Sequence, residues 1–165
     1  DAFDIIASKY ENIKLVITGK SGEEEKQSVL KRIAISPYKD RIEILGYLDD
    51  DDYYKALNAA DVLCMTRIDS GYSNAGFPFK LGEYLATGKP VVASNVSDVG
   101  RLLKNQKEVL LTTPGDVTSL VSQIQFILNN PKESLIIGSR GRVKAIEIFD
   151  YQKQGESLLQ YLYLV

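Results

Sequence analysis

The sequence predicts an α/β domain of Rossmann-like type: an open parallel sheet of about five strands with helices on both faces. Three observations predict it. Short apolar runs rich in β-branched residues alternate with longer stretches of helical period. The apolar runs are continuous instead of strictly alternating, the pattern of strands covered on both faces. Glycine and proline punctuate the junctions.

Each element follows in order. Residues 2–10 read as an amphipathic helix with Phe3, Ile5, Ile6 and Tyr10 as its apolar positions. A domain of this type normally places a strand before such a helix, so the start reads as a cut through a longer protein. The first strand is expected at 14–18 (KLVIT), ending at Gly19, and a helix at 23–35. The second strand is 41–45 (RIEIL), ending at Gly46. The acidic run 49–52 then suits the first turn of a helix over 51–59, where carboxylates complement the positive end of the dipole. A third strand at 62–65 (VLCM) leads into a long loop, and a helix is expected at 78–87. Gly88 and Pro90 set off the fourth strand at 90–93 (PVVA), followed by a helix at 98–104. The fifth strand is 108–111 (EVLL). Pro114-Gly115 separates it from helices at 116–129, 131–147 and 150–163, with Asp116 and Asp150 as N-caps.

Composition narrows the function. The 165 residues suit one domain, 44% hydrophobic and 25% charged. A net charge of −2 and no basic run longer than a pair argue against a nucleic-acid binder, which needs concentrated Lys and Arg. The absence of histidine removes Ser-His-Asp and Cys-His catalysis, and the single Cys64 removes an internal disulfide and any cysteine-cluster metal site. No stretch reads as a signal peptide or a membrane span, so a soluble, cytoplasmic chain is expected.

In an open parallel sheet, ligands sit beyond the carboxyl ends of the strands. The segments expected there are 19–22, Gly46-Tyr47-Leu48, the long loop 66–79, and 94–97. The long loop is of a length that is usually functional or disordered. Within it, Gly76 permits close backbone approach to a ligand, and Pro78 suits the first turn of the helix that follows. Free N–H groups at that helix start favour an anion such as a diphosphate. Lys80 adds a positive charge in the same turn, and Glu83 projects from the same face three residues on. A carboxylate there is able to accept hydrogen bonds from two adjacent ribose hydroxyls. On pattern alone, Lys80 and Glu83 fit a solvated ion pair equally well.

Residues 74–94 (NAGFPFKLGEYLATGKPVVAS) resemble the signature of the group 1 glycosyltransferases of the GT-B architecture. The likeness rests on Gly76-Phe77-Pro78, on Glu83, and on the run from Ala86 to Ser94. It extends through 13–19 (IKLVITG), 42–47 (IEILGY), Ala60-Asp61-Val62 and 110–116 (LLTTPGD). The resemblance implies half of a two-domain fold. This half binds a nucleotide-sugar donor, a UDP-, GDP- or ADP-sugar, and a missing N-terminal domain binds the acceptor. By position, Glu83 would hold the ribose, the backbone around Gly76-Phe77-Pro78 the diphosphate, and Gly46-Tyr47-Leu48 the base. It further implies transfer of a hexose to an acceptor hydroxyl with retention and without a metal, in polysaccharide or glycolipid synthesis. Any membrane association, at the inner face, would run through the missing part.

Three departures qualify the likeness. Ala75 stands where many members carry a sugar-contacting Glu, although subfamilies with a Pro-x-Lys-x-x-Glu helix also lack it. Val96-Ser97-Asp98-Val99-Gly100 replaces a Gly-Gly pair after the fourth strand. The family's diphosphate-gripping Arg and Lys fall upstream of Asp1, and Lys20 does not obviously replace them, so the isolated chain is expected to be inactive. A non-catalytic nucleotide-sugar-binding module and a sugar-nucleotide epimerase half remain as alternatives; a dinucleotide-binding domain fits least, for want of Gly-x-Gly-x-x-Gly.

Among single residues, Cys64 and Met65 read as core, and Tyr53, Tyr54 and Tyr84 as packing on helices. Tyr47 and Tyr72 fall on loops facing the cleft, and Arg67 fits either a phosphate contact or a sheet-edge cap. The apolar end 161–165 (YLYLV) reads as docked on the sheet or as a surface for the missing domain.

Overall fold

The computed structural model describes residues 1–163; Leu164 and Val165, the end of the apolar YLYLV segment, lie outside the described residues. The chain divides into two compact units, Asp1–Ala59 and Ala60–Val165. All five expected strands are present within two residues of their predicted ends, and every pairing is parallel.

The first unit contains α1 (Ala2–Ala7), β1 (Leu15–Thr18), α2 (Glu23–Ala34), a 3₁₀ turn (Lys39–Arg41), β2 (Ile42–Gly46) and α3 (Asp50–Ala59). β1 and β2 pair from Leu15 opposite Ile42 to Ile17 opposite Ile44, after which the register slips so that Thr18 faces Gly46. Asp49 precedes α3 and accepts the Asp52 N–H at 2.9 Å, so the acidic run starts a helix as expected. Here the expectation of strands covered on both faces fails. Val16, Ile44 and Leu45 are 48%, 41% and 38% exposed, and α2 buries none of its residues. Only Ile6, Ala7 and Leu57 supply buried hydrophobic side chains.

The second unit carries β3 (Leu63–Met65), α4 (Gly71–Asn74), α5 (Phe79–Ala86), β4 (Val91–Ser94), α6 (Val99–Leu102), β5 (Leu110–Thr112), α7 (Val117–Asn129), α8 (Pro131–Ile148) and α9 (Tyr151–Tyr163). Its sheet runs in the order β3-β4-β5, and the central β4 is buried at all four positions. Val92, Leu110, Ile127 and Ile137 form the core, with Val62, Leu120, Ile124 and Phe126 packed against them. Each such side chain contributes about 1.5–3 kcal/mol when fully buried.

Helix α8 reaches the rest of the unit through small residues. Ser134, Gly138, Gly141 and Ala145 recur at helical spacing and are all buried. A Cβ on Gly138 would meet the Gly88 carbonyl oxygen and would stand 2.6 Å from the Lys89 carbonyl carbon. A Cβ on Gly141 would stand 2.5 Å from the Glu108 carbonyl oxygen. Backbone thus lies on backbone, which only glycine permits here.

The predicted caps form. Asp116 accepts N–H bonds from Thr118 and Ser119 at 2.8 and 3.1 Å, and Asp150 from Gln152 and Lys153 at 3.0 Å each. Pro131 opens α8 in its first turn, where its missing N–H costs nothing. At the chain end, docking on the sheet is not observed for the described residues: Tyr161, Leu162 and Tyr163 are 65%, 59% and 88% exposed. Among the described residues, no helix is long and apolar enough to cross a membrane.

Candidate functional site

In the second unit the site forms around the loop between β3 and α5. That loop is not wholly irregular. Ser70 caps the short α4 by accepting the Ser73 N–H at 3.1 Å, and the two hydroxyls bond at 2.9 Å. This turn lies within the expected irregular loop, and Ser70 three residues before Ser73 is its signal in the sequence. Asn74 then ties the loop down. Its Nδ2 donates to Asp69 Oδ1 at 2.6 Å, and its Oδ1 accepts the Ser97 N–H at 2.9 Å. Ser97 has φ of 51°, a left-handed conformation that suits glycine, at the segment where a Gly-Gly pair was noted as replaced. The Asn74 side chain is what holds that amide in place.

Beyond Asn74 the backbone reaches Gly76. No atom lies within 4 Å of the point where its Cβ would stand, so the space beside it is open. Phe77 turns inward and packs its ring on Phe149, with centroids 5.0 Å apart. Phe149 also lies 3.4 Å from the Cβ position of Gly82, which fixes α5 from beneath. Pro78 is fully buried and occupies the N-cap position of α5, one residue earlier than expected; the helix starts at Phe79. A proline cannot cap with its side chain, and α5 has no side-chain cap bond. Leu81 donates its N–H to the Pro78 carbonyl at 2.9 Å, which leaves the N–H groups of Phe79 and Lys80 as the ones at this helix start available to a ligand. Lys80 and Glu83 are both exposed, three residues apart on the same helix. Leu81 and Leu85 anchor the opposite face with no solvent exposure at all.

In the first unit, Gly46 closes β2 with φ of 68°, and Tyr47 follows it with 66% of its surface exposed; Leu48 is half-buried. The Lys20 ammonium lies over the Tyr47 ring, 4.3 Å from its centroid. Nothing in the sequence pairs those two residues; only the juxtaposition of two strand ends does. The remaining candidates sort plainly. Tyr72, expected on a loop, lies in the short α4 and is 87% exposed. Arg67 donates its backbone N–H to the buried Ser94 hydroxyl at 2.9 Å, which links the ends of β3 and β4. Tyr54 is 52% exposed and packs its ring on that of Tyr53, with centroids 5.5 Å apart. Tyr84 is half-buried, and desolvation, then the charges of Cys64 and Glu83, raise its hydroxyl pKa.

The core assignment of the third strand holds for Met65 and fails for Cys64, because neighbours in a strand face opposite sides. Met65 is buried and Cys64 keeps an exposed edge. Burial of the sulfur still pushes the Cys64 thiol up to about 11, which disfavours the nucleophilic thiolate. Elsewhere in the second unit, an open groove of about 540 Å³ runs along α8 past Lys107, Leu135, Arg140 and Val143. Its charges are largely paired among themselves, Lys107 with Glu108 and Lys144 with Glu147. It offers no glycine approach or uncapped helix start, unlike the loop before α5. Among the described residues, no three His, Cys, Asp or Glu side chains gather as a metal-binding group.

Residues 1–144 match the family model described as glycosyl transferases group 1. Over 123 residues the chain is 29% identical to the MMP alpha-(1->4)-mannosyltransferase of Mycolicibacterium hassiacum, covering 74% of this chain and 29% of that protein. Over 130 residues it is 28% identical to the phosphatidyl-myo-inositol mannosyltransferase of Mycobacterium leprae, covering 79% and 32%. The chain thus spans about a third of the length of these curated relatives. Among solved structures, Anabaena HepE in complex with UDP superposes with a TM-score of 0.87 at 20% identity, over 99% of this chain and 44% of that one. That likeness supports the GT-B Rossmann-like fold.

Proposed function

This chain belongs to the group 1 glycosyltransferases, and we propose that it forms the donor-binding part of such an enzyme, holding a UDP-, GDP- or ADP-sugar. One observation carries the reading: the uncapped start of α5, reached through the open backbone at Gly76, with Lys80 and Glu83 on the same helix. The N–H groups of Phe79 and Lys80 take the diphosphate, where the helix dipole favours negative charge. The Lys80 ammonium neutralises part of that charge. In the second unit Glu83 accepts hydrogen bonds from the two ribose hydroxyls; in the first unit the Gly46-Tyr47-Leu48 loop offers a surface for a base. Phe77 and Pro78 serve from behind, fixing the turn while their backbone faces the phosphates. The UDP bound by Anabaena HepE supports the donor class.

In the whole protein the reaction is transfer of a hexose to an acceptor hydroxyl with retention, for polysaccharide or glycolipid synthesis. A second, N-terminal domain binds the acceptor and provides any contact with a membrane, with the donor domain in the cytoplasm. Neither a metal nor nucleic acid enters this scheme, because helix N–H groups and basic side chains meet the diphosphate charge. Ala75 supplies no carboxylate to the sugar, so donor affinity rests on the nucleotide.

The test is a titration with UDP, GDP, ADP and UDP-glucose, followed by NMR over residues 66–83. Selective shifts from Gly76 to Glu83 with one nucleotide are expected. Glu83→Ala is expected to weaken binding by about 1–3 kcal/mol, the range for hydrogen bonds to a charged group. Equal affinity for wild type and variant would remove Glu83 from the site. Donor binding without any transfer by the full-length enzyme would mark a non-catalytic binding module instead.

A further inference from the structure

The two strand ends of the first unit are held together more tightly than a parallel ladder requires. After the register slip at Thr18, Gly19 donates its N–H to the Gly46 carbonyl at 2.7 Å. Both glycines adopt positive φ, 133° and 68°, so each loop turns sharply at the joint. Lys20 and Tyr47 are the first residues past that joint, one on each loop. Their placement, ammonium 4.3 Å above the ring centroid, follows from the joint itself. Tyr47 is two-thirds exposed, and no salt bridge among the described residues engages Lys20.

Resting on the nucleotide-sugar reading above, we propose that Lys20 selects the base: it donates to a keto oxygen on the edge of a base stacked on Tyr47, favouring uracil and guanine over cytosine and adenine. The ring face accepts any base, because every base has a π-face, so stacking supplies affinity without choice. An exposed ammonium–ring contact is weak, and the four-carbon stem of lysine is flexible. A base laid on the ring displaces the ammonium to the base edge at little cost. There the ammonium is a donor with no acceptor capacity. It bonds the C4 oxygen of uracil or the O6 and N7 of guanine; cytosine presents an amino group there, and adenine keeps N7 but replaces O6 with an amino group. Lys20 is thus a specificity residue in a loop where the sequence offered no role for it.

Calorimetric titration with UDP, CDP, GDP and ADP tests this, because uracil and guanine carry an oxygen where cytosine and adenine carry an amine. The expected result is about tenfold tighter binding of UDP than CDP, and of GDP than ADP. Lys20→Met is expected to level both ratios, and Tyr47→Leu to weaken all four ligands alike. Thermal melting of both variants checks that they fold. A uniform fall for all four with K20M would put the ammonium on the diphosphate and overturn the proposal, as would ratios that K20M leaves intact. If wild type binds all four equally, the base-selecting role falls and the donor-binding reading stands. If the full-length enzyme binds none of them, the donor-binding reading itself falls.

Discussion

The two units of this chain are built from the same strand–helix grammar and held by different forces. The second unit has a packed core around Val92, Leu110, Ile127 and Ile137, with β4 wholly buried. The first unit buries three hydrophobic side chains and relies on charged hydrogen bonds. Arg41 donates to three carbonyls at the end of α1: Ala7 at 2.7 Å, Tyr10 at 2.9 Å and Glu11 at 2.8 Å. It also lies over the Tyr38 ring at 4.6 Å. Arg32 pairs with Asp1 and Asp4, both at 2.6 Å, and Ser36 donates to Asp4. Apolar burial is insensitive to salt and to moderate pH, whereas charged bonds near the surface are sensitive to both. The second unit, with the loop before α5, is therefore the more robust platform, and the first is the more responsive one.

Breaking the second unit needs a steric blow. Gly138→Ala drives a methyl group into the Gly88–Lys89 backbone, and the modest gain in helix propensity does not offset that clash. A loss of about 3 kcal/mol in urea denaturation is expected, at the upper end for overpacking. Near-normal stability would show that α8 can slide away from the turn.

Breaking the first unit needs only one side chain. Arg41→Ala leaves three carbonyls at the end of α1 without their donor, at a cost of about 1.5–3 kcal/mol. Amide exchange should speed up in α1 and β1 while α7 and α8 keep their protection. Uniform acceleration across the chain would mean that the two units unfold together.

The smallest effect is that of acid. The Ser36 hydroxyl, then the Arg32 guanidinium, hold the Asp4 carboxyl below its ordinary value of 3.8. A depressed carboxylate stabilises the fold above that ordinary value, and the contribution is lost as pH falls through the folded-state value. On acidification α1 should loosen before the second unit does. Ser36→Ala should move that loosening to higher pH, read from the carboxyl carbon resonance of Asp4. An unmoved Asp4 titration in the variant would assign the shift to Arg32 alone.

The sequence by itself determined the strand–helix order, the five strands, the caps at Asp116 and Asp150, and the family signature with its Gly76, Pro78, Lys80 and Glu83. These rest on local physics: periodicity, backbone freedom and the bonding of a carboxylate to the nearest free N–H groups. The tertiary structure decided the rest. Val16 and Ile44 are as apolar as Val92, yet only the last is buried, because burial depends on what packs above a strand and not on the strand itself. Cys64 and Met65 face opposite sides of one strand, and Met65 is buried while Cys64 keeps an exposed edge. Asn74 reaches Ser97, Lys20 reaches Tyr47, and Arg41 reaches α1 across 23 to 34 residues of chain. Such contacts are set by the joining of distant strand ends, and no local pattern encodes that distance.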